Sequence, residues 1–200
     1  WYSPFGKGLW FSLILRPDFP PAEAPKCTLM AAVALTKAFH KMGLTDAGIK
    51  WPNDILVNGR KLVGILTEMS GSMEEISHIV MGIGVNIKIK QEELPEEIKQ
   101  IATSLLMEGI EIERTEAFKI ILEELEHQYY EVLDSGFDDT LNEWRKLSVT
   151  LNQEIEVRAP GNTYEGVATD IDNDGNLLVK TSTGDIKRVV AGDVSIRPRK

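Results

Sequence analysis

The sequence has one cysteine, three histidines and no long apolar run, and each shortage narrows what the chain can be. Cys27 alone cannot form an internal disulfide. Its place in an apolar helical pattern reads as a core thiol in a reducing cytoplasm. His40, His78 and His127 are too scattered to suggest a metal site, and none is assigned a role. No stretch approaches the roughly 20 apolar residues of a spanning helix, so no membrane partner is expected. The first residues lack the basic start and small-residue cleavage site of a signal peptide. Basic residues are outnumbered 22 to 31, and the net charge of −9 argues against a broad phosphate-binding surface. A local basic pocket is still allowed, because net charge says little about one site. Neither Ser72 nor Ser77 stands in a G-x-S-x-G elbow, which removes the commonest serine-hydrolase signature.

What is present suits a folded globular chain: 42% apolar and 26% charged residues over 200 positions. "GLWFSLILRP" is strand-like and stopped by Pro17. Leu29, Val33, Ala34, Ala38 and Phe39 follow near helical spacing, with Gly43 as the stop. A hairpin and the strand "SHIVMGIGVNIKI" come next. The pattern then predicts a short helix over 95–107 and a longer one from Thr115 to about Leu133, with Phe118, Leu122, Leu125 and Tyr129 on one face. A further helix is expected near Asp139 to Leu147. After Ser148, short strands separated by turn residues predict a small all-β barrel or sandwich, so the chain divides into residues 1–148 and 149–200.

The hairpin "KWPNDILVNGRKLVGIL" carries charges where a core strand should not. Asn58-Gly59 is a strong type I′ turn signal. With those two residues as the loop, Leu56 faces Lys61, Asp54 faces Val63, and Asn53 lies opposite Gly64. Asp54, Leu56, Lys61 and Val63 then share a face, with Lys50 at the same parity. Cations, a carboxylate, an amide and bare backbone in one place suit a phosphate or carboxylate ligand. A structural Lys–Asp pair at a strand edge is the alternative, and spacing does not decide between them.

"GIGVN" puts Gly82, Gly84 and Asn86 on one face and Ile83 and Val85 on the other. A flat ligand could lie on the bare side, as could a tightly packed helix. The segment is no dinucleotide fingerprint, since the third glycine falls at Ile87. "DIDNDG", Asp170 to Gly175, starts like a calcium loop, but Thr181 stands at its twelfth position and strands flank it, so a hairpin turn is the better reading. Trp144, Tyr129 and Tyr130 read as core or interdomain packing.

"KWPNDILVNGRKLVGIL" with "GIGVNI" resembles the catalytic core of biotin protein ligases, the biotin–[acetyl-CoA-carboxylase] ligases. The opening "WYSPFGKGLWFSLILRP" and the closing small β segment match that family's order. The resemblance implies an α+β fold, a class II aminoacyl-tRNA synthetase-like core with a C-terminal SH3-like barrel. It implies joining of biotin to ATP as biotinyl-5′-adenylate, then transfer to a lysine of a biotin carboxyl carrier domain. Lys61 would be the central lysine, beside the biotin carboxylate and the reacting phosphate. Lys50, Asn53 and Asp54 would line the nucleotide phosphate and Mg2+ region, and Lys61, Lys50 and Asp54 form the implied catalytic set. Gly64, Ile65 and Leu66 would border biotin together with Gly82 and Ser12, and Asn86 would approach the adenine.

In this family a glycine- and arginine-rich loop, "GRGRxGR" in type, comes before the W-x-S-P segment. This chain starts at Trp1, so it is expected to hold part of the biotin wall and to be weakly active or inactive alone. No DNA-binding domain is seen in the chain, and the resemblance admits a homodimer through sheet edges. A lipoate–protein ligase is the enzymatic alternative, and a non-catalytic biotin-sensing repressor fragment is the alternative of another class.

Overall fold

The structure, a computed structural model, describes residues 2–159, 162–191 and 195–198. Trp1 of the opening motif, and Pro160, Gly161 and Gly192 to Val194 within the last strand motifs, lie outside the described residues. The first sheet is built from β1 (Gly8–Leu15), β2 (Ala47–Lys50), β3 (Asp54–Val57), β4 (Arg60–Gly71) and β5 (Ile76–Asn86). Its order is β1-β5-β4-β3-β2, and every neighbouring pair is antiparallel.

Three helices cover one face of this sheet: α1 (Lys26–Lys41), α2 (Arg114–Ser135) and α3 (Asp138–Leu147). α1 lies between the sheet and the other two helices. It is therefore buried on nearly every side, with Met30, Ala31, Ala32 and Leu35 enclosed beside the predicted stripe. Strand residues of one parity, among them Ile55, Val63, Ile65, Ile83 and Val85, meet that helical layer and form the core. Cys27 is fully buried there, and burial pushes its thiol up to about 12, with Glu23 adding to the rise.

Two helix expectations change. The stretch 95–107 makes turns rather than one continuous helix: it closes local bonds such as Lys99 N–H to Pro95 O at 3.1 Å and Ala102 N–H to Ile98 O at 2.9 Å, and from Ile101 on its backbone also bonds to the sheet. Lys61 N–H donates to Ile101 O at 2.7 Å, Thr103 N–H to Lys61 O at 2.9 Å, and Leu105 N–H to Asn86 O at 3.1 Å. In α2 the buried stripe is Ala117, Ile121, Leu125 and Val132 with Glu124 and Gln128, so Phe118, Leu122 and Tyr129 flank it. Glu124 is paired with Lys41, while Gln128 bonds Lys37 and Thr140, which is how two polar residues sit inside. Trp144 is fully buried and Tyr129 packs on the core, but Tyr130 is 61% exposed and is not a packing residue.

The second sheet holds β6 (Glu154–Ala159), β7 (Asn162–Ile171), β8 (Leu177–Thr181), β9 (Ile186–Val189) and β10 (Ser195–Pro198) in the order β10-β6-β7-β8-β9. The calcium-like "DIDNDG" run is its β7–β8 turn. Asp172 Oδ1 accepts the N–H groups of Asp174 and Asn176, each at 2.9 Å, and Arg188 Nε lies 2.6 Å from Oδ2. Partial burial alone would raise the Asp172 carboxyl, but those bonds from Asn176 and Asp174 and the nearby guanidinium hold it below the ordinary carboxylate range.

A thiol with a pKa of about 12 is almost wholly protonated at pH 8. Cys27 should therefore resist a disulfide-exchange reagent at pH 8 in the native protein and react at once in denaturant. Comparable labelling rates in both conditions would contradict its burial.

Candidate functional site

The face of the first sheet opposite the helices is where the interrupting charges collect. β4 contains a bulge there: Leu56 pairs with Lys61, but Ile55 pairs with Val63 and Asp54 with Gly64. Leu62 is the extra residue, fully buried. The expected register, Asp54 opposite Val63 and Asn53 opposite Gly64, is thus displaced by one residue beyond the bulge. The consequence is large, because a one-residue shift moves side chains to the other face. Val63 turns into the core, and Gly64 replaces it on the open face beside Asp54 and Lys61.

Cross-strand pairing then lines up a row across the sheet: Trp10, Gly84, Gly64, Asp54 and Lys50. Neighbouring strands lie about 4.8 Å apart, so Trp10 and Asp54 stand roughly 14 Å apart across a floor of two glycines. The next row is Ser12, Gly82 and Leu66, with Leu66 57% exposed. Gly8 pairs with Asn86 on the other side, and the Trp10 indole lies over Gly8. No helix covers this floor among the described residues, which removes the tight-helix explanation of the glycines.

Asp54 and Lys61 meet at 2.6 Å between Oδ1 and Nζ, with 19% and 41% of their side chains exposed. β3 and β4 are interior strands, so the pair does not guard an edge. A partly exposed pair of this kind contributes about 0–1 kcal/mol. Each interior strand glycine costs about 0.5–1 kcal/mol relative to alanine. Gly64, Gly82 and Gly84 therefore cost more than the ion pair returns, as expected of a surface shaped for a ligand rather than for stability.

Other residues fasten this face. Asn53 Nδ2 donates to Ile65 O at 2.8 Å while Ile65 N–H donates to Asn53 O at 2.9 Å, which locks the β2–β3 turn onto β4. Asn86 Nδ2 donates to Thr103 O at 2.8 Å, holding the 101–105 segment along the sheet. Thr103 in turn bonds Glu108, which also holds Arg60. The expected site residues Lys50, Asn53, Asp54, Lys61, Gly64, Leu66, Gly82, Asn86 and Ser12 are all brought to this face or its rim. Ile65 is not: its side chain is buried in the core, and only its backbone reaches the site. Of Leu9 to Ser12, Trp10 and Ser12 face the site while Leu9 points to the core. Sequence reasoning missed the Ile101 to Leu105 buttress, because its regular apolar spacing imitates a helix.

Among the described residues no three His, Cys, Asp or Glu side chains gather as a metal site.

A helix-backed antiparallel sheet with a bare, charge-edged outer face, followed by a small β-barrel, is the architecture of the biotinyl/lipoyl ligase class. A model described as "Biotin/lipoate A/B protein ligase family" matches residues 1–86, and one described as "Biotin protein ligase C terminal domain" matches residues 150–197. The chain belongs to the biotin protein ligase family. It is 38% identical over 197 residues to the "Bifunctional ligase/repressor BirA" of Bacillus subtilis (strain 168), covering 98% of this chain and 60% of that protein. The Escherichia coli (strain K12) protein of the same name is 29% identical, with 98% and 61% covered. The chain thus spans about three fifths of the length of these relatives. The apo structure of biotin protein ligase from Aquifex aeolicus superposes with a TM-score of 0.83 at 24% identity, covering 96% of this chain and 83% of that one. The fold is accordingly α+β, a class II aminoacyl-tRNA synthetase-like core with an SH3-like barrel.

The bare floor makes an asymmetric prediction. A Cβ at Gly82 would meet nothing closer than Leu66 O at 3.6 Å, whereas one at Gly8 would lie 2.6 Å from Val85 O and from the Trp10 ring. In thermal denaturation Gly82→Ala should leave stability unchanged or raise it by up to about 1 kcal/mol. Gly8→Ala should lower it by roughly 1–3 kcal/mol. Equal losses at both positions would contradict the open floor.

Proposed function

We propose that the whole protein attaches biotin to a lysine of a biotin carboxyl carrier domain, using ATP and passing through biotinyl-5′-adenylate. The observation that carries this reading is the pairing of Lys61 with Asp54 at 2.6 Å beside the glycine floor. Support also comes from relatives such as the "Biotin--[acetyl-CoA-carboxylase] ligase" of Mycobacterium tuberculosis, 34% identical over 151 residues. A structure of the Aquifex aeolicus enzyme is described as a complex with biotin and ATP. The match of residues 150–197 to a biotin-specific C-terminal model favours biotin over lipoate.

In the first step the biotin carboxylate attacks the α-phosphorus of ATP and pyrophosphate leaves. Two anions meet, so the barrier is set by charge that must be stabilised as it spreads over phosphoryl oxygens. Lys61 sits at the border of the glycine floor and the acidic group, where an ammonium can touch both the carboxylate and the phosphate. Asp54 orients Lys61 in the resting protein and is the protein carboxylate available to the magnesium of MgATP. Lys50, level with Asp54 on β2, adds a second cation for the outer phosphates. Gly64, Gly82, Leu66 and Ser12 form the apolar and bare surface for the biotin ring, and Asn86 with Trp10 borders the nucleoside end. In the second step the carrier lysine amine attacks the anhydride carbonyl and AMP leaves. We read residues 1–148 as the catalytic domain and 149–200 as the small barrel, working in the cytoplasm.

In the intact native protein, Lys61→Ala should lower biotin-dependent ATP–pyrophosphate exchange by on the order of 10²–10³-fold. Near-normal exchange in that variant would overturn the role of Lys61. Exchange supported by lipoate and not by biotin would overturn the substrate.

A further inference from the structure

We propose that Trp51 is a positioning residue through which the small C-terminal barrel holds residues 50–54 beside Lys61. The inference rests on reading the open face as the adenylate-forming site. Trp51 is fully buried in the turn between Lys50 and Asp54, the two strand-end residues that pair across β2 and β3. Both of its N–H groups bond outside the first sheet. The main-chain N–H meets Thr150 Oγ1 at 2.9 Å, and the indole Nε1–H donates to Gly175 O at 3.0 Å. Thr150 is the first residue matched to the C-terminal domain model, and Gly175 closes the β7–β8 turn.

The far end of this brace is itself immobilised. Gly175 has φ +81°, and a Cβ there would lie 2.6 Å from Leu29 Cδ1 on α1. Lys26 Nζ donates to Asn173 O at 3.2 Å, and Arg145 reaches Asp170 Oδ1 at 2.7 Å and Ile171 O at 2.9 Å. The turn is thus pinned to α1 and α3, and the carbonyl that receives the indole proton has a fixed place relative to the sheet. On the other side of Pro52, Asn53 is bonded twice to Ile65. The segment between the two lysines is held from the barrel at one end and from β4 at the other. The glycine required at 175 and the tryptophan at 51 are the two halves of one contact. A cavity of about 830 Å³ opens beside this contact, lined by Pro52, Asn53, Leu66, Thr67 and Arg188. The 50–54 turn therefore lacks full packing on that side and depends on the brace.

The test uses the intact native protein with Trp51→Phe, which keeps a ring but loses the donor, Thr150→Val, and Thr150→Ser, which keeps the hydroxyl. Displacing a charged group that contacts a reacting phosphate lowers the rate by roughly tenfold to a hundredfold. Trp51→Phe and Thr150→Val should lower kcat for biotin-dependent pyrophosphate exchange by that amount, with KM for biotin unchanged and Thr150→Ser restoring the original kcat. Wild-type kcat in folded Trp51→Phe and Thr150→Val proteins would overturn the inference. So would a loss in Thr150→Ser equal to that in Thr150→Val. Absence of exchange in the unaltered protein would count against the ligase reading alone. Amide hydrogen exchange at Ile65 then reads the brace independently: it should quicken in Trp51→Phe and Thr150→Val but not in Thr150→Ser. Unchanged protection in the first two would overturn the brace.

Discussion

One extra residue in one strand decides what the outer face of the first sheet can do. With strict alternation from Lys61, Val63 would stand on the open face and Gly64 would point into the core. The bulge at Leu62 reverses that parity, so the side chains of Leu62, Val63 and Ile65 enter the core, while Gly64, itself buried, shares the outer register with the exposed Leu66. Lys61 keeps its place opposite Leu56 and beside Asp54, and bare backbone now begins three residues further on. A charged end and an uncluttered floor are thereby joined on a single strand. Bulges commonly re-aim side chains in this way next to active sites.

Around that constraint the molecule divides its work by face. The inner face is packed against α1 and its partners and provides the stability. The outer face, with its glycines and a partly exposed ion pair, adds little, and its geometry is held from outside the sheet. The Ile101 to Leu105 segment bonds along Lys61 and Asn86, and the β7–β8 turn bonds Trp51. An apolar groove of about 580 Å³ also exists on the helical side, between β1, α1 and α2. Its lining of Leu13, Phe118, Leu122 and Tyr129 offers no cluster of cations comparable to Lys50 and Lys61, so the proposed adenylate chemistry is assigned to the outer face.

Much of this was legible in the chain. Asn58-Gly59 set the hairpin loop, and alternation correctly joined Lys61 to Asp54 and put Gly82, Gly84 and Asn86 on one side of β5. The bulge was not legible, because Lys61-Leu62-Val63 alternates as well without it as with it. Only the packing of Leu62, Val63 and Ile65 together against α1 selects the shifted register. The 95–107 stretch misled for a related reason: Ile98, Ile101, Leu105 and Leu106 have helical spacing, yet strands β4 and β5 compete for the same backbone groups and win. In α2 the buried Glu124 and Gln128 rotated the stripe away from the apolar pattern, since their partners lie on elements distant in sequence. Trp51 read as part of a motif and gave no hint of its contact with Gly175, which is 124 residues away.

Everything above turns on whether ligand sits on the outer face, over the glycines and against Lys61. Backbone amide shifts of the intact isotopically labelled protein, followed through a titration with biotin and then MgATP, test it most directly. Gly64, Leu66, Gly82, Gly84 and Asn86 should move together while the residues of the helical groove, Phe118, Leu122 and Tyr129, stay still. Shifts centred on that groove, with the five outer-face amides unmoved, would contradict it.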